Sequence, residues 1–291
     1  MLCSLAQLEP VHLSPEPRGS LSNLIAVPVP GLEAPGADQV ALAVKAVGLN
    51  FRDVLNVLGM YPGDPGPPGS DVAGMVTAAS PGIPHLVGDL VFGLAAGCLG
   101  TAALGMHQTV VPVPPTVAPE AACTIPTVFL TADACFNAAT LVRPGQRVLI
   151  HAATGGLGLA AVQVATAMGG VPLGTAGSTS KRTFLRSYWS GVHTALNSRN
   201  TDFATDLAQL CFDGVDVVLN SLTSPGMLAA SLAVLRPGGA FIEVGKRNIW
   251  AAARMAQVCY CGSTCLCACL HKPTLHLPGA HPNTCIFVLP A

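Results

Sequence analysis

The sequence predicts an α/β protein in two parts: a small barrel or sandwich of short strands, then a doubly wound parallel sheet. Three observations carry that expectation. Short apolar runs separated by glycine and proline turns fill the first third of the chain. From Arg147 onward, strands of near-continuous apolar residues alternate with helical segments. Glycine (31) and proline (25) are plentiful and aromatics make up only 5%, which suits many tight turns and does not suit a helical bundle.

In the first part, Gln39 to Val47 (QVALAVKAV) is rich in small and β-branched residues and alternates as a strand does. Asn50 to Gly59 has helical spacing at Phe51, Val54, Leu55 and Leu58. A proline–glycine loop, Tyr61 to Gly69, precedes a strand at Asp71 to Ala79, and Pro81-Gly82 turns the chain. Asp89 to Phe92 and Gln108 to Val113 complete the set. Glu120 to Ala139 has a helical composition interrupted by Pro126. The second part then predicts strands at Arg147–His151, Val171–Ala176, Val192–Leu196, Val215–Leu219 and Ala240–Val244. Helices are expected at Leu157–Met168, Lys181–Ser190, Thr205–Leu210 and Met227–Leu235, the last stopped by Pro237-Gly238-Gly239. After Arg254 no period is sustained.

Composition excludes several classes of function. Of 291 residues, 51% are hydrophobic and 10% charged, so a large core can form and wholesale disorder is excluded. A net charge of -1 leaves no basic surplus for a nucleic-acid backbone. Six of eleven cysteines (Cys259, Cys261, Cys265, Cys267, Cys269, Cys285) crowd the last stretch, and the other five are isolated. The body therefore reads as a reduced, intracellular chain, and a cytoplasmic location is expected. Leu2 to Leu8 is too short and lacks the basic flank of a secretory signal, and Glu9 and Glu16 argue against a transit peptide. Leu90 to Met106 is uncharged but carries Gly93, Gly97, Gly100 and Gly105, which suits buried strands joined by turns better than a membrane span.

The strand RVLIH runs into Thr154-Gly155-Gly156-Leu157-Gly158, and Gly156, Gly158 and Ala161 fit G-x-G-x-x-G/A at a strand-to-helix junction. Such a turn brings backbone N–H groups and the positive end of a helix to a pyrophosphate. An NAD-type site would place an acid about 20 residues further on. Here no Asp or Glu occurs between Asp133 and Asp202, and the second strand leads instead to Ser178-Thr179-Ser180-Lys181-Arg182. Hydroxyls and two cations suit a 2′-phosphate, so NADPH is the expected cofactor; the alternative is a capped helix start with solvated Lys181 and Arg182. No C-x-x-C pair occurs in the first 250 residues, and Gly69-Ser70-Asp71 stands where zinc-dependent relatives of such folds carry Gly-His-Glu, so no metal is expected. The cysteine cluster has C-x-C and C-x-x-x-C spacings but no organising turn, and is expected to be a structureless tail.

Taken together, GLNFRDVLNVLGMYPGD (Gly48 to Asp64), GSDVAGMV, PTVFLTADACF (Pro126 to Phe136), the glycine turn, GSTSKR, GVDVVLNSL (Gly214 to Leu222) and LRPGGAFIEVGKRNIW (Leu235 to Trp250) resemble the enoyl reductase domain of type I polyketide synthases and animal-type fatty acid synthases. These form part of the zinc-free branch of the medium-chain dehydrogenase/reductase superfamily, with the quinone oxidoreductases. The resemblance spans roughly Gln39 to Ala253. It implies a GroES-like β-barrel at 1–118, incomplete here, and a Rossmann NADP-binding domain at 119–254, with the Cys-rich tail at 255–291 in place of the C-terminal part of the family fold. It also implies reduction of an α,β-unsaturated acyl thioester carried on acyl carrier protein, with NADPH giving a hydride to the β-carbon and a proton following to the α-carbon. By resemblance Asn50 and Thr131 line the nicotinamide pocket, and Asn220 and Gly245 face the nicotinamide from the ends of strands four and five. Tyr61 matches a tyrosine tied to proton delivery and α-methyl stereochemistry, and Lys181 and Asp202 match proton-donor candidates. Lys181 cannot easily serve both the 2′-phosphate and a proton transfer, and its cofactor role is favoured. A quinone or enone reductase, and an inactive domain that only binds nucleotide or a partner, are the competing expectations.

Overall fold

The computed structural model describes residues 9–32, 34–61, 63–189, 192 and 194–245, together with two strands at 266–269 and 285–288. The chain divides into two compact units, Met1–Thr127 and Val128–Ala291.

The first unit is antiparallel. β1 (Val11–Pro15) and β2 (Leu24–Pro28) form a hairpin. A five-stranded sheet has β3 (Gln39–Gly48) and β4 (Asp71–Ala79) as its longest pair. β5 (Leu90–Leu94), β6 (Ala102–Met106) and β7 (Val110–Pro112) complete it, in the order β6-β3-β4-β5-β7. Breaks in the β3–β4 register at Ala41/Leu42 and Val44/Ala46 add twist, which curls a sheet. Its core is Val40, Leu42, Val72, Val76, Val91 and Val110. The uncharged run from Leu90 to Met106 thus forms β5, a turn and β6, and among the described residues no helix is long and apolar enough to cross a membrane. α1 (Phe51–Val57) follows β3, and α2 (Pro119–Ala122) follows β7. The β1–β2 hairpin has no counterpart in the sequence reading, because its strands are short and their burial shows no clear alternation.

The second unit is built on five parallel strands: β8 (Arg147–Ile150), β9 (Val171–Ala176), β10 (Thr194–Asn197), β11 (Val215–Asn220) and β12 (Leu235–Glu243). Their order is β10-β9-β8-β11-β12, so the winding reverses between β8 and β11. α3 (Pro126–Asp133), α4 (Gly156–Ala167), α5 (Thr179–Tyr188), α6 (Asp202–Leu210) and α7 (Met227–Ala233) accompany the sheet. Alternation of strand side chains assigns the faces. Val148, Ile150, Val217, Leu219 and Ile242 join one core with Ala161, Ala165 and Leu185. Leu149, Val218 and Phe241 join the other with Phe203, Leu207 and Met227. Helices therefore cover both faces, as the apolar strands require.

Two expectations are corrected. Pro237-Gly238-Gly239 does not end a helix: α7 stops at Ala233, and those residues lie inside β12, where the β11–β12 register shifts between Val215 and Val217. The expected structureless tail contains β13 (Leu266–Cys269) and β14 (Cys285–Val288), with β14 antiparallel on β12 and β13 on β14. β12 would otherwise end the sheet with a row of free N–H and C=O groups, and CIFV is a composition that pairs there. The rest of 255–291 lies outside the described residues.

Candidate functional site

The glycine turn follows β8 at the point where the winding reverses. Gly155 caps α4 in an extended conformation, and its N–H closes onto Ala152 O at 2.8 Å. The first N–H groups of α4 have no intrahelical acceptor and point out of the helix start, which is what a pyrophosphate needs. A Cβ on Gly158 would come within 2.4 Å of Ala152 O and 2.6 Å of Ala153 Cα, so only glycine lets α4 lie this close to its strand. A Cβ on Gly156 would meet nothing nearer than Val128 Cγ1 at 3.5 Å. Gly158 is therefore needed by the fold, whereas a Cβ at Gly156 would make only an ordinary contact.

A cavity of about 330 Å³ opens beside this turn, lined by Thr154, Gly155, Gly177, Lys181, Arg199 and Ser224 among others. Arg199, which the sequence reading missed, lies over Gly177: a Cβ there would sit 2.5 Å from Arg199 Nε. Among the described residues neither Lys181 nor Arg199 is in an ion pair. The two cations face a cavity wall of backbone and hydroxyl groups, and this donor set fits a phosphorylated ribose. No local sequence signal marks Arg199: it reaches Gly177 through the parallel pairing of β10 with β9, which brings the end of one strand beside the end of the other.

The neighbouring predicted residues do different work. Ser178 Oγ caps α5 by accepting from Lys181 N at 3.3 Å. Arg182 is turned onto its own helix start, donating to Ala176 O at 3.2 Å and Thr179 Oγ1 at 3.0 Å. Leu157 packs against the core below α4. Asp202 opens α6 and accepts from Asn200 Nδ2. Asn220 is fully buried, and its amide is turned inward onto Leu222 and Glu243 Oε2 (2.7 Å). The other carboxylate oxygen of Glu243 accepts from Gly245 N at 2.7 Å. Glu243, a buried acid absent from the sequence reading, thus ties the ends of β11 and β12, and it lines a second cavity of about 290 Å³ with Leu222, Thr223 and Ser224. Its signal was an acid within the apolar run AFIEV. Thr131 lies on α3.

In the first unit, Asn50 caps α1, with its N–H held by Asp53 Oδ2 at 2.8 Å and its Nδ2 donating to Asp71 Oδ2 at 3.0 Å. Asp71 also accepts from the backbone and hydroxyl of Thr127, and Asp53 accepts from Gly69 N at 2.9 Å. Burial pushes the Asp71 carboxyl up, against the pull of the Thr127 and Asn50 hydrogen bonds. Burial, with the charges of Asp53 and Asp71, pushes the Cys98 thiol up to about 12. Asp71 thus spends its oxygens on hydrogen bonds, and no group of three His, Cys, Asp or Glu suited to a metal occurs among the described residues. Tyr61 lies under Arg52, whose Cζ is 5.5 Å from the ring centroid.

A glycine turn at the reversal point of a 3-2-1-4-5 parallel sheet, with Lys181 after the second strand and Arg199 after the third, defines a dinucleotide-binding oxidoreductase. The chain matches the family models of the alcohol dehydrogenase GroES-like domain over residues 36–121 and of zinc-binding dehydrogenase over 156–263. It is 38% identical to the crystal structure of CurK enoyl reductase, with a TM-score of 0.81 over 86% of this chain and 78% of that one. It is 44% identical to the spectinabilin polyketide synthase system protein NorB of Streptomyces orinoci over 84% of this chain, which spans 11% of NorB's length. Mycobacterial Rv1454c complexed with NADPH is 26% identical, with a TM-score of 0.75 over 86% of this chain and 79% of that one. The chain belongs to the enoyl reductases of the kind polyketide synthases carry, within the medium-chain dehydrogenase/reductase superfamily.

Proposed function

We propose that the chain reduces the carbon–carbon double bond of α,β-unsaturated acyl thioesters with NADPH, on acyl groups borne by an acyl carrier protein. The observation that carries the cofactor assignment is the Lys181–Arg199 pair in the cavity beside the glycine turn, in a stretch without an acid. The similarity to CurK and NorB supports the thioester substrate. NADPH bound there supplies a hydride to the β-carbon. The N–H groups of Gly156, Leu157 and Gly158 receive the pyrophosphate, with Thr154 and Gly155 at its flank, and Lys181 and Arg199 take the 2′-phosphate. Ser178 and Arg182 hold the helix that carries Lys181. By the sequence resemblance Asn50 and Thr131 are assigned to the nicotinamide, and within the second unit the Glu243 clamp on Asn220 and Gly245 holds the ends of β11 and β12 together. Lys181 is committed to phosphate and Asp202 to the head of α6, and the sequence resemblance assigns Tyr61 to delivery of the α-proton.

The test is cofactor preference. The intact chain should bind NADPH at least tenfold tighter than NADH, about 1.4 kcal/mol. Lys181→Glu should abolish or reverse that preference, and Arg199→Ala should reduce it while leaving NADH affinity unchanged. Equal affinity of the intact chain for the two cofactors would remove the basis of the assignment.

A further inference from the structure

Beneath the glycine turn lies a buried polar chain that none of the roles above uses. His151, directly after β8, is 2% exposed. Its Nδ1 is 3.0 Å from Thr175 Oγ1 on β9, and its Nε2 is 2.8 Å from Ser231 Oγ on α7. Thr175 and Ser231 are fully buried. Phe203 of α6 packs edge-on against the ring at 5.0 Å between centroids. Such a network is costly unless every member is satisfied.

The proton balance fixes its direction. Ser231 Oγ donates its one proton to Met227 O at 2.7 Å, so toward His151 it can only accept. Nε2 therefore carries the imidazole proton, and Nδ1 is the bare acceptor. Thr175 Oγ1 must then donate to Nδ1, which leaves its lone pairs for the N–H of Ala152 at 3.3 Å. The result is a one-way chain: Ala152 N–H to Thr175 Oγ1–H to His151 Nδ1, and His151 Nε2–H to Ser231 Oγ–H to Met227 O. Burial lowers the His151 pKa to about 3, which agrees with a ring held neutral.

The anchored end is the residue that shapes the turn. Ala152 has φ +49, a left-handed conformation that a non-glycine residue adopts only when its surroundings enforce it. Thr175 grips it from both sides, since Thr175 O also accepts from Ala153 N at 2.8 Å. Ala152 O in turn takes the N–H of Gly155 and faces Gly158. We infer that His151 and Thr175 are positioning residues for the cofactor, holding the glycine turn in its phosphate-receiving shape through the Nε2–H tautomer of His151. This rests on the proposal that NADPH binds at that turn.

Three variants of the full chain separate the outcomes, with NADPH affinity measured by fluorescence titration well below each variant's melting temperature. Thr175→Val keeps the shape and removes the hydroxyl, and should weaken NADPH about tenfold. Thr175→Ser restores the hydroxyl and should bind within about twofold of the parent chain. Gly156→Val is the control. If it binds NADPH normally, the cofactor site itself is misassigned. If it loses NADPH while Thr175→Val binds like the parent chain, the positioning role alone fails. Nitrogen NMR of the parent chain gives an independent reading. A protonated Nε2, a bare Nδ1 and no titration between pH 5 and 8 are expected, and an Nδ1–H tautomer or a midpoint near 6.5 would overturn the proposal.

Discussion

Gly156 and Gly158 stand two residues apart in the same motif, yet the structure gives them different duties. Gly156→Val should leave the melting temperature within a few degrees, because its Cβ would meet only Val128 Cγ1 at 3.5 Å, and should abolish NADPH binding, because a branched side chain blocks the approach of the pyrophosphate to the backbone of the turn. Gly158→Ala should unfold or strongly destabilise the second unit, because its Cβ would enter the backbone of Ala152 and Ala153. Calorimetry with NADPH titration checks both, and the reverse pattern would mean that the turn is misread. His151 adds a pH dependence. Its pKa falls from 6.5 to about 3 on folding, so the unfolded chain takes up a proton below about pH 6.5 that the folded chain refuses. Its stabilising contribution is thus full above about pH 6.5 and is lost as pH falls toward 3. Between pH 7.5 and 5.5 the loss should be about 1.4 kcal/mol. Asp71 acts in the opposite sense, since a raised carboxyl pKa relieves a burial cost as the pH falls. Denaturant unfolding at the two pH values, with His151→Gln as comparison, should show that loss in the parent chain only; parallel curves would contradict a buried neutral imidazole.

Among elements, the parallel strands carry the stability of the second unit, because each is buried on both faces. Phe241 in β12 is fully buried, whereas Phe212, after α6, is fully exposed. Phe241→Ala should cost about 3–5 kcal/mol, and Phe212→Ala within about 0.5. A similar loss at both sites in thermal melts would sink this account of the core. The strands that hold the site were legible as apolar runs, and the glycine turn as a spacing, because both are local signals. What was not legible depends on contacts between distant parts of the chain. Arg199 reaches Gly177 only because β10 pairs with β9. His151 meets Thr175 and Ser231 across 24 and 80 residues. A tertiary staple lies at the irregularity in β12: Asp216, buried, accepts from Arg147 N at 2.7 Å and pairs with Arg236 at 2.5 Å, joining the starts of three strands. No helix or strand period encodes that.

At the scale of the whole molecule, the chain is two units of different construction. The first holds Asn50 on a buried acid cluster and Tyr61 under Arg52. The second holds the glycine turn and its two cations. The motifs that carry the family resemblance are spread over both units, and the similarity to CurK enoyl reductase likewise covers 86% of this chain. The proposed chemistry is tested most directly by following isotope rather than absorbance alone. The full chain is mixed with crotonyl thioester on pantetheine and NADPH deuterated at the transferable C4 position, and the product is analysed by mass spectrometry and NMR. A butyryl thioester with deuterium at the β-carbon and a solvent proton at the α-carbon, formed in step with NADPH oxidation, is the predicted result. NADPH that binds tightly but is not consumed, or deuterium found at any other carbon, would contradict it.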